Sequence, residues 1–512
     1  MKLNYKRTIL VGFAFFLISA FWQAYDSTIP LILTNKFGMS QTWSGVIMAA
    51  DNILAVFMLP LFGSISDKCM TKYGKRTPFI TIGTTIAAIA LVCLSFVDGA
   101  QLQNISAVSE IDSPAALEVI YDTQKDVQLL TPEGDSFRLT DTFTKEDFTA
   151  IRSKNDDGKT NADYTNYVAP ARQAYAWQNT KANVGTLVLL VVLLLVVLVA
   201  MATFRSPAVA LMPDVTVKPL RSKANAVINL MGTAGGILVL VLGIVFSISS
   251  VKNALMNYTV YYSVIAGLML CALGIFLFTV REKKWAEQMA ADSVRFGIEE
   301  ATEDNTAKRG LSKAEKKSLI FILMSIALWY FGYNAVTSKY SVYASNILHK
   351  DFNTTLLIAQ GAAIISYLPS GMVASKIGRR KTIMAGVIML ASAFGVAAFM
   401  RSDSPTWLMN VMFALAGIAW ATINVNSFPM VVEMCSGADI GKYTGYYYTA
   451  SMSAQIVTPM LSGFLMDQMG MTVLFPYATV FVALAFVTMF MVRHGDAKAE
   501  VKQGLEAFDT DD

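Results

Sequence analysis

Asp26 and Asp51 are carboxylates set in two largely apolar stretches, Thr8 to Leu33 and Trp43 to Ser66. An ionisable side chain in such a stretch costs several kcal/mol to bury, so it is a candidate for chemistry rather than packing. Each lies about eight residues from one end of its stretch, on the order of 12 Å deep if both are helical. Two antiparallel helices would set them at one depth. Facing each other away from water, two carboxylates hold a proton between them more readily than they both ionise. The chemistry this suggests is proton binding and release. Neither residue needs a metal for it, and the two histidines and four scattered cysteines offer no metal-ligand spacing.

A second set of residues suits a polyhydroxylated ligand, which needs amides and carboxylates for its hydroxyls and aromatic faces for its apolar side. In the first half these are Trp22, Gln23, Tyr25 and Asn52; in the second, Trp329, Tyr333, Asn334, Gln360, Trp420, Asn424 and Gln455. Arg205 closes a long apolar run. It either reaches back to the interface or pairs with an acid or a ligand carboxylate. A third set, Gly63, Asp67, Gly74, Lys75, Arg76, Asp214, Arg221, Glu433 and Lys442, forms a polar belt of both signs at one end of the apolar stretches, where ion pairs could latch a gate.

The elements that must position these groups are transmembrane helices. Of 512 residues, 54% are hydrophobic and 15% charged, against about 25% charged in soluble domains, which excludes an ordinary soluble enzyme and a basic nucleic-acid-binding surface. About twelve spans meet the length needed to cross a bilayer, near 8 to 34, 43 to 66, 77 to 97, 184 to 210, 223 to 249, 258 to 280, 317 to 347, 354 to 375, 380 to 400, 406 to 432, 443 to 467 and 472 to 492. The expected organisation is spans one to three in 1 to 97, an insertion in 98 to 181, spans four to six in 182 to 280, a central loop in 281 to 316, spans seven to twelve in 317 to 493, and a tail in 494 to 512.

Charge sets the orientation. Residues 98 to 181 hold 14 acidic and 8 basic residues, net −6, leaving +10 elsewhere in a chain of net +4. That excess sits in alternate loops, which the positive-inside rule places in the cytoplasm with both termini, so the insertion is expected outside the cell. The stretch Leu117 to Tyr121, a turn at Pro132-Glu-Gly-Asp135 and a helix cap at Thr144 suggest a small α/β lid in the insertion. Trp285, Met289, Val294, Phe296 and Ile298 suggest a helix on the inner membrane surface within the central loop.

The two halves echo each other. Gly63-Ser-Ile-Ser-Asp67 followed by Gly74-Lys-Arg76 recurs as Gly371-Met-Val-Ala-Ser375 followed by Gly378-Arg-Arg-Lys381. Inverted or repeated halves around a midplane site are the plan of carriers that rock one half against the other. The motif between the second and third spans resembles that of the major facilitator superfamily. Its longer form, continuing to Pro78-Phe79-Ile80, resembles the glycoside-pentoside-hexuronide:cation symporters and the sucrose:proton symporters, as does Pro207-Ala-Val-Ala-Leu-Met-Pro-Asp214-Val-Thr216 with Arg221 after it. Asp26 resembles the acidic position on the first helix of animal sucrose-type carriers. Where sodium-using glycoside symporters have two aspartates before Pro60-x-x-Gly63, this chain has Ala55 and Leu59, with Asp51 one turn away. Where plant sucrose symporters have an arginine in the fourth helix, it has Val209.

The resemblance implies an all-α major facilitator fold of twelve helices in two pseudo-symmetric halves, and proton-coupled symport of a sugar or glycoside at a cell membrane. The expected partners are a small solute, a proton in preference to sodium, and the lipid bilayer. No cofactor or metal, no nucleic acid and a monomer are expected. No nucleoside-triphosphate-binding loop is present in the sequence. The competing readings are a proton-coupled exporter of drugs or other small solutes, and a membrane sensor whose insertion binds a ligand.

Overall fold

The computed structural model describes all residues except 1–2, 218–219, 296–310, 433, 435–439 and 495–512. In a bilayer the backbone must satisfy its own polar groups, and the apolar stretches accordingly fold as long helices. They are Tyr5–Asn35, Gln41–Lys68, Thr77–Asn104, Val184–Val215, Arg221–Val245, Thr259–Thr279, Lys313–Tyr343, Phe352–Ile377, Arg379–Ala397, Thr406–Val432, Ile440–Met469 and Leu474–Phe490, here spans 1 to 12. Among the described residues, ten helices are long and apolar enough to cross a membrane by length and composition alone. The chain is a multi-pass membrane protein.

Local signals set the helix ends. Ser40 caps span 2 by accepting from Trp43 N at 3.4 Å, and Pro78 sits in the first turn of span 3. Asp351 caps span 8 through Asn353 N and Thr354 N, both at 3.2 Å. Ser312 and Glu315 form a reciprocal capping box at the start of span 7. Gly378, at φ +94°, separates spans 8 and 9 in a left-handed turn that disfavours side chains.

Within the first half, span 1 packs on span 5 and span 3 on span 4; the second half matches this with span 7 on span 11 and span 9 on span 10. Small residues permit the close approaches. A Cβ on Gly235 would stand 2.5 Å from Phe16 O, and one on Gly417 would stand 2.1 Å from Ala359 O. The sequence Gly232-Thr-Ala-Gly-Gly236 is thus the seam between spans 5 and 1.

Among the described residues, the closest backbone approaches between the halves lie toward the face that carries the insertion. A Cβ on Gly45 would lie 2.0 Å from Pro459 O, and one on Gly463 would lie 2.2 Å from Gln41 O. Spans 5 and 8 approach at Gly243 and Asn353, and Ser249 Oγ donates to Asp351 at 2.6 Å. Toward the opposite face, which carries the termini, Phe57 and Leu61 of span 2 are exposed, and Gly371 and Gly445 face open space. The described residues therefore form a body closed at the insertion face and splayed at the terminal face.

The insertion differs in two respects from expectation. Span 3 runs on to Asn104, because Asp98, fully buried, pairs with the equally buried Lys36 at 2.6 Å. The insertion is also mostly helical. Leu117 to Tyr121 lies in the helix Pro114–Gln124, started by Ser113 as cap and Pro114 in the first turn, while strand structure is limited to Leu129–Leu130 against Ser136–Phe137. Thr144 does cap a short helix, accepting from Asp147 N at 3.2 Å. These pieces enclose an apolar core of their own around Leu117, Ile120, Phe148, Tyr164 and Val168.

Candidate functional site

A cavity of about 580 Å³ lies between the halves. Spans 1, 4 and 5 contribute Trp22, Gln23, Asp26, Arg205 and Asn229; spans 7, 8 and 10 contribute Tyr333, Gln360, Tyr367 and Trp420. The size falls within the roughly 300–1,000 Å³ of small-molecule sites. Seven of the sequence candidates line it: Trp22, Gln23, Asp26, Arg205, Tyr333, Gln360 and Trp420.

The cavity walls are polar and aromatic. Gln360 Nε2 donates to Gln23 Oε1 at 2.8 Å, and Gln23 Nε2 donates to Ser27 Oγ at 3.0 Å. The rings of Tyr333 and Trp420 stack at 3.6 Å with an interplanar angle of 4°. The Arg205 guanidinium lies 5.9 Å over the Trp22 ring. Among the described residues, neither the Arg205 guanidinium nor the Asp26 carboxylate has a hydrogen-bond or ion-pair partner, and both are open to the cavity. Asp51, half-buried on span 2, accepts from Asn52 Nδ2 at 2.9 Å. It lies within electrostatic reach of both Asp26 and Arg205, so three charges share one region of the first half.

The other candidates sit elsewhere. Tyr25 is buried and stacks on Phe21 at 5.9 Å. Trp329 is packed in the core at 1% exposure. Asn52 serves Asp51, while Asn334, Asn424 and Gln455 lie off the cavity wall.

At the terminal face, Arg76 gathers spans 2, 3 and 4. Its Nε donates to Asp214 at 2.7 Å, and its terminal nitrogens donate to Asp67 and to Ser66 Oγ, with Gly63 O at 3.5 Å. Gly74, at φ +125°, turns the chain so that Glu282 accepts from Lys75 N, Arg76 N and Thr77 N at 2.6, 2.8 and 2.7 Å. Arg221 donates to Pro213 O at 3.0 Å. These contacts join spans 2, 3 and 4 to one another and, through Glu282, to the start of the central loop. In this conformation the expected gate residues Asp67, Arg76 and Asp214 are joined to one another by ion pairs. Glu433 and the Lys442 side chain lie outside the described residues.

Glu282 begins the helix Glu282–Arg295 in the central loop. Arg7 lies 4.6 Å over the Trp285 ring and donates to Trp285 O at 2.7 Å, docking the helix on span 1. Phe296 and Ile298 fall outside the described residues.

Residues missing from the sequence candidates cluster at the insertion face. Lys339 of span 7 is fully buried and donates to Gln41 O at 2.7 Å. Asp467 of span 11 accepts from Gln41 N at 2.8 Å, Thr42 N at 2.7 Å and Thr42 Oγ1 at 2.5 Å. An ionisable residue inside a span is the signal that marks Lys339.

Two membrane-embedded halves enclosing a polar cavity, closed on one face, define a carrier-like architecture. Residues 10–101 match the description "MFS/sugar transport protein" and residues 352–508 match "Major Facilitator Superfamily". The chain thus carries two separate stretches similar to major facilitator proteins, one in each half. It is 26% identical over 142 residues to the "MFS-type transporter ppzB" of Metarhizium rileyi (strain RCEF 4871), a stretch that spans 28% of each chain. It is 34% identical over 59 residues to the "Sucrose transport protein SUC4" of Arabidopsis thaliana, 12% of each. The fold is similar to the inward open xylose transporter XylE from E. coli, with TM-score 0.58, 13% identity and coverage of 97% and 98%. A crystal structure of a D-xylose-proton symporter gives TM-score 0.56 at 15% identity, covering 98% and 100%.

Proposed function

We propose that this chain is a secondary active transporter that couples proton movement to symport of a sugar or glycoside by alternating access. The observation that carries this reading is the cavity, in which an open carboxylate, Asp26, stands beside amides and stacked aromatic rings. Asp26 with Asp51 would hold and release the proton. Gln23 and Gln360 would meet sugar hydroxyls, and Trp22, Tyr333 and Trp420 the apolar face of a ring. Arg205 would neutralise Asp51 or engage a ligand oxygen. Partial similarity to sucrose transport proteins supports the solute class.

The charge distribution supports a cell-membrane protein with both termini in the cytoplasm and the insertion outside. In that orientation the conformation is inward-facing. Arg76, Asp67 and Asp214 would then keep spans 2, 3 and 4 moving as one body.

The test is uptake of labelled sucrose and maltose into proteoliposomes, with proton and sodium gradients imposed separately. Accumulation driven by the proton gradient and abolished by a protonophore supports the proposal. Accumulation driven only by sodium, or uptake of neither sugar beside proton-driven extrusion of a lipophilic cation, points to the competing readings.

A further inference from the structure

The contact that closes the insertion face contains groups that it leaves poorly satisfied. Lys339, buried at 0% exposure, has no ion-pair partner within 4.0 Å among the described residues; its ammonium donates to the Gln41 carbonyl of the other half. Both side-chain amide atoms of Gln41 are buried without a hydrogen-bond partner, as is the Ser44 hydroxyl. Asp467, the opposite charge in the surroundings of Lys339, is occupied by Gln41 N and Thr42 N. Buried polar groups in folded proteins are generally paired. A cluster of exceptions at one contact between moving halves marks a contact built to break.

Lys339 and Asp467 both belong to the second half, on spans 7 and 11, which pack together. When span 2 withdraws, Lys339 loses the Gln41 carbonyl and Asp467 loses two backbone N–H groups and a hydroxyl. What remains is an ammonium and a carboxylate on one rigid body, each without its former partner. We infer that Lys339 and Asp467 form an exchange latch: with the insertion face closed each binds the start of span 2, and with it open they bind each other. Lys339 is a positioning residue, acting through the gate and not on the solute. With the face closed each charge has only neutral hydrogen-bond partners on span 2, and with it open each has the opposite charge. The inference rests on the alternating-access reading but on no particular solute.

The experiment is a distance measurement by double electron-electron resonance in lipid nanodiscs. The four cysteines are replaced by serine, and nitroxides are attached through Ser106→Cys and Ser402→Cys, which lie exposed on the two halves at the insertion face. The parent protein should show a short and a long distance; one distance alone would overturn alternating access itself. Lys339→Gln strands Asp467 when the face opens, so the long-distance fraction should fall by about tenfold, equivalent to about 1.4 kcal/mol. Adding Asp467→Asn removes the stranded charge and should restore the long distance toward the parent. Lys339→Arg keeps the charge and should retain the parent distribution, which covers the case in which Lys339→Gln does not fold. An unchanged distribution in Lys339→Gln, no restoration in the double variant, or a Lys339→Arg distribution shifted as in a loss of charge would each overturn the latch.

Discussion

Gln360 donates to Gln23 across the boundary between the halves at 2.8 Å, joining span 8 to span 1 inside the cavity. The bond leaves Gln360 Oε1 buried without a partner. A solute hydroxyl arriving there can satisfy that oxygen, and the same amides also report on how the halves are set. Replacing Gln360 by Ala should raise the KM for a transported sugar five- to tenfold, from about 1 kcal/mol of lost hydrogen bonding. The check is initial-rate uptake in proteoliposomes at equal protein density.

Asp26 makes a different prediction. Asp26→Asn keeps the shape of the cavity and removes its open carboxylate. Proton-driven accumulation should be lost while counterflow exchange of the same solute persists. Undiminished uphill uptake in this variant would remove Asp26 from the coupling role.

Gly45 tests the closed face. A Cβ there would meet Pro459 O at 2.0 Å, so Gly45→Leu cannot close spans 2 and 11 as they stand. Net uptake should fall to background, with reagent access from the insertion face increased. Cysteine labelling at Gln173, which lines a pocket at the insertion face, provides the readout.

Glu282 ties the central helix to the start of span 3 by accepting three backbone N–H groups. Glu282→Ala should destabilise the protein by about 1–2 kcal/mol, as loss of a helix cap does. Thermal unfolding in detergent measures it. Arg76→Gln should have a comparable effect, about 2 kcal/mol, through its bonds to Asp67 and Asp214.

The loop between spans 7 and 8 responds to acid in two stages. Burial first pushes the His349 imidazole below its ordinary 6.5, only partly opposed by a backbone hydrogen bond at Asn346. Because the unfolded chain takes up that proton first, stability should begin to fall as pH drops through about 6.5. Burial would raise the Asp351 carboxyl, but bonds from Ser249, Thr354 and Asn353 outweigh it and hold it below its ordinary 3.8. Its stabilisation is present above that value and is lost only as pH falls through the lower folded one. His349→Gln should therefore remove the first stage and leave the second, as read from unfolding temperature between pH 7.5 and 3.

Much of the architecture is legible from the sequence because hydropathy measures what the bilayer demands. The expected second span, 43 to 66, becomes Gln41–Lys68, and the expected tenth, 406 to 432, is Thr406–Val432. Span 3 outruns its apolar stretch because Lys36 accommodates Asp98, a pairing across 62 positions that no local pattern records. Helical phase is the larger gap. Tyr25 and Asp26 are neighbours, yet one is sealed in the core and the other opens to the cavity. Trp329 and Tyr333 lie about one turn apart and divide the same way. Lys339 is visible in the sequence as a charge inside a span; its partner Gln41, 298 positions away, is not.

The insertion is chemically part of the first half but rests on the second. Its turn at Pro132–Gly134 receives Met471 N at 2.7 Å on Pro132 O, and Gly134 and Gly470 are packed so that a Cβ on either would collide with the other's chain. Glu133 adds an ion pair to Arg401 at 3.4 Å. The internal repeat makes the two halves near-equivalents, but this bridge has no counterpart among the described residues of the terminal face. The forward and return strokes of a rocking cycle would thus begin from unequal footing, with one resting posture favoured before any solute or proton is bound.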